Sequence, residues 1–439
     1  MVRYLMRRGF SLMSRPLKTH CLFKALVYTV PFAIAYCLSL GRIFAHANGP
    51  IHATDLETPL NPTYYFWSIV YPWNPLGLGS MALPNIVDLT YGFIATVSFG
   101  NELISQLLLL SLRLIIAYSG TLLLTRRTMG ASIGGSVFAS IFYAFSPAYL
   151  AWFPLPYQFS MAFVPWLFYV GFEAAKHIFR MPAPSMRILV AYALTLAIIL
   201  SFITSLYFHI LPLIVLTLVI SSAFLLKATK KGSLRHHVFR LVIFLGLVGV
   251  FYLLTTSRIF EILTILTSPE RQAMIVRGED VDQILALIKT FYEDATILNS
   301  LRLTGGTPMD ERFILLNGNA IGIFLPILVF AGMLFFRNSV VKVSFSKQAI
   351  LLYVSCVVNS ILLLTIAYVF RELATSNNTL VANFAFSGMR RPERILETLA
   401  LFYALAMAFS VSALEFTFIE ALSKPQLTSG IKNTRAHIK

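Results

Sequence analysis

The chain has 439 residues, of which 57% are hydrophobic and only 12% charged, and its mean hydropathy is +0.75. A water-soluble surface needs roughly twice that charged fraction, so an ordinary soluble globular protein is excluded and a polytopic membrane protein is expected. The formal net charge of +16 invites a nucleic-acid partner, a reading that the placement of the charges removes.

A membrane-crossing helix needs about 20 predominantly apolar residues to span about 30 Å of hydrocarbon. In chain order, ten stretches meet that need: 22–43, 104–125, 131–150, 158–178, 188–206, 208–226, 239–256, 320–336, 349–368 and 395–418. They predict an all-α transmembrane bundle of about ten spans, built as one membrane-embedded domain over residues 1–439. The first is longer than the apolar core of a secretory signal, despite the cleavage-like Ala45-His46-Ala47, so a retained helix is expected. Cys21, Cys37 and Cys356 are odd in number and scattered, which suggests neither a disulfide framework nor a metal set.

The hydrophilic segments alternate in charge. With residues 1–21 as a cytoplasmic basic tail, the inside segments collect Arg3, Arg7, Arg8, Arg15, Arg126, Arg127, Lys176, Arg187 and the KATKKGSLRHH loop, ending in the tail 424–439. Most acids fall in the other loops. Under the positive-inside rule both termini are cytoplasmic and the chain sits in the cell membrane, with lipid rather than nucleic acid as its partner.

Three outside loops are long. The first, 44–103, carries GPIHATDLETPLNP, then YYFWSIVYPWNPLGLGS, then an apolar-periodic stretch from Leu83 to Phe99 that predicts an amphipathic helix in the interface. The second, 257–319, holds a helical pattern at Ile284, Leu285, Leu287, Ile288, Phe291 and Tyr292, a second interfacial helix. The third, about 369–393, closes on FSGMRRPERILETL.

Four features carry chemistry. Asp55 and Glu57, two residues apart in a proline-braced loop, have side chains free to converge on a metal or an acceptor hydroxyl; ordinary loop acids are the alternative. His52, with His46, extends the pair toward a His/carboxylate site for a divalent metal such as Mg or Mn. Arg390, Arg391 and Arg394 run against the charge bias and surround the start of the last span, where a helix N-terminus favours anions such as phosphate. A salt-bridge ladder with Glu393 and Glu397 is the competing reading. Arg113 lies mid-span, with Glu102 and Gln106 on the same helix. A charge at that depth is costly and marks either a functional site or a structural clamp, to Glu173 or to a backbone carbonyl. His209 reads as an interfacial histidine, and Asn377-Asn378-Thr379 is a sequon on an outside loop.

The order of these parts resembles a known class. A basic N-terminus, one span, a long outside loop with an early acid pair, YPWNPLGLGS, a span ending YAFSPAYL, FVPW opening the next, and FSGMRRPERILETLALFYALA together resemble the GT-C membrane glycosyltransferases. Within that class the arrangement is most similar to the membrane module of polyprenyl-phosphate-dependent arabinofuranosyltransferase-like proteins. The resemblance implies a polyprenyl-phosphate sugar donor and a glycan or protein acceptor outside the membrane. It gives Asp55 the role of base or metal ligand, with Glu57 as partner, and assigns Arg390, Arg391 and Arg394 to the donor phosphate. Arg113, Trp73 and Asn74 complete the expected substrate-binding set. The family's large soluble outside domain and Gly-Asp-Trp form of acid motif are absent from this sequence. The competing classes are a transporter or flippase of a lipid-linked anion, which should show inverted repeats, and a non-catalytic scaffold with partner membrane subunits in the cell envelope.

Overall fold

In hydrocarbon a backbone must satisfy its own N–H and C=O groups, and a long apolar run does so by coiling into a helix. The computed structural model describes residues 17–46, 73–74, 80–81, 86–146, 158–179, 185–203, 234–256, 324–337, 341, 344–374 and 393–423. Within them the helices are α1 (Leu17–His46), α2 (Ile86–Val97), α3 (Glu102–Leu123), α4 (Ile133–Ala144) and α5 (Gln158–Ile178). They continue with α6 (Met186–Phe202), α7 (Leu234–Thr256), α8 (Phe324–Ala331), α9 (Lys347–Ala374) and α10 (Glu393–Ser423). The one extended feature among the described residues is a two-residue antiparallel pairing, β1 (Trp73–Asn74) with β2 (Ser80–Met81).

Four of the described stretches are long and apolar enough to cross a membrane: Glu102–Met129, His236–Thr255, Lys347–Leu373 and Thr398–Leu422. Nine of the ten apolar stretches read from the sequence coincide with helical segments; 208–226 lies outside the described residues, as does the helix expected within 257–319. Three segments differ in extent, one of them 188–206, whose helix ends at Phe202 with Ile203 extended. The helix expected over 131–150 ends at Ala144, because the chain leaves helical geometry at Phe145 and Ser146 precedes a proline, which disfavours the α region. In the 320–336 stretch, α8 tightens at Gly332 into a 3-10 turn, Gly332–Arg337.

The centre of the bundle is α10. From Leu399 to Ser410 every residue is fully buried, as expected of a helix that is apolar all round. Ala400, Ala404, Ala408 and Ser412 recur every fourth residue along one side, and small residues at that spacing let two backbones approach closely. The partner is α4. Its Gly135 sits where an added Cβ would meet the Ser412 hydroxyl and lie 2.7 Å from the Ala408 carbonyl. Ser132 caps α4 by accepting from the Gly135 N–H at 3.0 Å, while its own N–H donates to Ser412 Oγ at 2.8 Å.

Elsewhere polar side chains repair the backbone. Pro165 lies inside α5 and has no N–H, so the Met161 carbonyl one turn earlier loses its helical donor. The Tyr143 hydroxyl of α4 donates to that carbonyl at 2.7 Å. Trp166 donates from Nε1 to the Ile116 carbonyl of α3 at 2.9 Å, and its indole occupies the space beside Gly120, where a Cβ would stand 2.5 Å from the ring. After α3 the helix widens into a π-turn, Leu124–Met129, closed by Gly130 in the left-handed region at φ 67°.

Contacts between helices set their directions. Antiparallel to α3 runs α1, with Tyr36 bonded to Ser111 and Tyr118 donating to the Tyr28 carbonyl at 2.6 Å. Phe163 of α5 stacks on Phe202 at the end of α6, with ring centres 4.3 Å apart, and Ser201 bonds Thr255 of α7 at 2.7 Å. Tyr353 of α9 stacks on Phe409 of α10 at 4.5 Å. Followed through, these contacts gather the C-terminal ends of α1, α6, α7 and α9 with the starts of α3, α5 and α10 at one end of the bundle. Arg126, Arg127, Lys176, His177, Arg187, His237 and Arg240 collect toward the other end. There His237 Nδ1 and Arg240 Nη1 lie 3.4 and 3.5 Å from the Ile178 carbonyl at the C-terminus of α5, where basic groups complement the helix dipole.

Candidate functional site

The described part of the site is built by α2 and α3, joined through a tight turn. Ser98 follows α2, Phe99 and Gly100 take positive φ of 53° and 73°, and Asn101 caps α3 by accepting from the Ile104 N–H at 3.0 Å. The reversal is sealed by Ser98 and Ser105, whose hydroxyl oxygens lie 2.5 Å apart, with Ser98 donating onward to the Ala95 carbonyl at 2.9 Å.

Arg113 stands eleven residues into α3, about 16 Å along the axis at 1.5 Å per residue, and is fully buried. Side chains on a helix lean toward its N-terminus, which sends the guanidinium back toward the turn. There Nη2 donates to the Tyr91 hydroxyl at 2.7 Å. Tyr91 packs with Ile94, Leu109 and Phe202, flanked by Leu112, Phe163 and Ile198, so the bond is enclosed by apolar side chains from α2, α3, α5 and α6. Gln106, also buried, shares the Arg113 face of α3, seven residues earlier. Arg113, Tyr91, Gln106 and Glu102 all make additional interactions. The result is a cation fixed inside a membrane-length helix, polarising a phenol whose oxygen already accepts.

A clamp from Arg113 to Glu173, one of the alternatives left open by the sequence, is not made. Glu173 binds Lys176 at 2.6 Å on its own helix. Since α5 runs parallel to α3, Glu173 falls near the basic end of the bundle, far along the axis from Arg113.

Of the other residues read from the sequence, His52, Asp55, Glu57, Arg390 and Arg391 lie outside the described residues. Trp73 and Asn74 form β1, and Arg394 is the second residue of α10; backbone position is what is established for these three. Among the described residues no three His, Cys, Asp or Glu side chains converge as a metal set. Tyr91 escaped the sequence reading. Its signal was present, since Tyr91, Ile94 and Ser98 share one helical face, but nothing local names Arg113 as the partner. Within Leu83–Phe99 the expected helix is α2 (Ile86–Val97), and it is folded back along α3. No protein-family model, curated protein or solved structure matches the chain.

Proposed function

We propose that the chain is a multi-pass membrane glycosyltransferase of the GT-C type, with about ten spans and both termini cytoplasmic. It transfers a sugar from a polyprenyl-phosphate donor to a glycan or protein acceptor at the outer face. The observation that carries this reading is the direction of the helices. His46 ends α1 and Glu393 begins α10 at the same end of the bundle, opposite the end rich in arginine, lysine and histidine. Asp55 follows His46 by nine residues, and Arg391 precedes Glu393 by two. The chain therefore leaves α1 and enters α10 at one end, which the positive-inside rule makes the outer one, and this supports an acid pair and an arginine group that act at the outer face.

In this reading the acceptor hydroxyl attacks the anomeric carbon of the donor while its proton passes to Asp55 as general base, supported by Glu57. The bond from that carbon to the phosphate oxygen breaks, and polyprenyl phosphate leaves with the electron pair. Arg390, Arg391 and Arg394, beside the N-terminus of α10, stabilise the phosphate charge. Trp73 and Asn74 of β1 belong to the substrate-binding loop, and Arg113 adds a fixed positive potential from within the bundle. A divalent metal, Mg or Mn, held by His52, Asp55 and Glu57, is the other use those acids allow.

The test is sugar transfer by the purified chain in proteoliposomes supplied with polyprenyl-phosphate sugars. Transfer dependent on the lipid phosphate supports the reading. Absence of transfer across a panel of pentose and hexose donors overturns it.

A further inference from the structure

The hairpin of α2 and α3 has an outer surface that the site does not use. Proceeding away from the turn, Ser98 meets Ser105, Ile94 clusters with Leu109, and Tyr91 meets Arg113. Each step back along α2 matches a step forward along α3, so α2 runs antiparallel beside the first half of its neighbour rather than across its end. The face toward α3 and α6 is buried at Tyr91, Ile94, Ala95 and Ser98.

The opposite face is apolar and open. Leu89, Phe93 and Val97, spaced every four residues, are exposed, and Phe99 at the turn is 97% exposed. Thr96 on that side is polar, and its hydroxyl is spent on the Gly92 carbonyl at 2.8 Å. At the same end of α3, Leu103, Ile104 and Leu107, on the side turned away from α2, are exposed as well. These belong to a stretch, Glu102–Met129, long and apolar enough to cross a membrane.

We propose that α2 is a re-entrant helix whose outer face is covered by lipid acyl chains. Phe99 sits near the headgroups, and Val97, Phe93 and Leu89 lie successively deeper in the outer leaflet. The occupant follows from depth: α2 lies alongside Ser105, Leu109 and Arg113 of a stretch long enough to cross a membrane, so its outer face stands at the level of the exposed Leu103, Ile104 and Leu107 and meets the same surroundings. An amphipathic helix resting in the interface would keep a polar face toward water, whereas α2 turns its other face to protein. The bond from Arg113 to Tyr91 then serves as the pin that holds the inserted helix against the bundle. This inference rests on the membrane reading of α3 given above.

The experiment places a nitroxide at Leu89→Cys, Phe93→Cys, Val97→Cys or Phe99→Cys in the full-length chain. The background carries Cys21→Ala and Cys37→Ala and keeps the buried Cys356. The protein is reconstituted in phosphatidylcholine vesicles, and collision with oxygen is compared with collision with a water-soluble nickel chelate. The expected oxygen-to-nickel ratio rises in the order Phe99, Val97, Phe93, Leu89. Ile115→Cys, on the exposed side of α3, is the control for the membrane reading. High nickel access at Leu89 and Phe93 with an oxygen-rich Ile115 overturns the re-entrant helix alone. High nickel access at Ile115 overturns the membrane placement of α3 itself. Immobile labels inaccessible to both reagents at Leu89 and Phe93 show a protein surface in place of lipid and also overturn the proposal.

Discussion

Arg113 Nη2 donates to Tyr91 Oη across 2.7 Å, joining two helices inside an apolar cluster. Truncating the acceptor with Tyr91→Phe removes one of the hydrogen bonds of a buried charged donor, which costs about 1–3 kcal/mol. Thermal unfolding in detergent should show the loss. In a double-mutant cycle with Arg113→Leu, a coupling of about 0.5–3 kcal/mol is expected for residues in direct contact. Strictly additive effects would contradict the pairing.

Tyr143 and Pro165 give a second, independent cycle. Tyr143→Phe removes the donor that the Met161 carbonyl receives in place of the missing proline N–H, with an expected cost of about 1–3 kcal/mol. In a Pro165→Ala background the helix supplies its own N–H, and Tyr143→Phe should cost clearly less. An equal cost in both backgrounds would show that the hydroxyl is not replacing the proline donor.

Two glycines should respond in opposite ways to alanine. At Gly135 a methyl group runs into Ser412 and the Ala408 carbonyl of α10, whereas at Gly246 on α7 nothing lies within 4 Å. Gly135→Ala should lower stability by about 1–3 kcal/mol through overpacking. Gly246→Ala should be neutral or stabilising by about 0.5–1 kcal/mol through helix propensity. Matched unfolding temperatures for the two variants would argue against the close approach of α4 and α10.

Helix positions were legible from hydropathy because an apolar window of membrane length leaves the backbone little alternative to a helix. Pairings were less legible. The spacing of Ala400, Ala404, Ala408 and Ser412 is plain in the sequence, but it names no partner, and Gly135 answers it only once the two helices are side by side. The same limit hid Tyr91. A buried arginine announces that it needs an acceptor, and hydropathy does not say which of many tyrosines turns inward. The packing of α2 along α3 was not legible for a related reason: periodicity separates two faces of a helix without naming what either one meets. Asp55, Glu57, Arg390 and Arg391 rest on sequence and on the helix ends that flank them.

The orientation of the bundle has a direct test. Single cysteines in the KATKKGSLRHH segment, such as Ser233→Cys, should label only after the membrane is permeabilised. Cysteines at Glu279 and Asn377 should label in intact cells. Labelling of Ser233→Cys from outside would invert the topology and remove Asp55 from the acceptor side.

The most direct measurement of the central claim compares wild type with Asp55→Asn in sugar transfer from a polyprenyl-phosphate donor in reconstituted membranes. The substitution keeps size and hydrogen bonding but removes the base, so turnover should fall about 100-fold or more with unfolding temperature unchanged. Glu57→Gln should lose less, and Arg391→Gln should weaken donor binding. Equal transfer by wild type and Asp55→Asn would contradict the account.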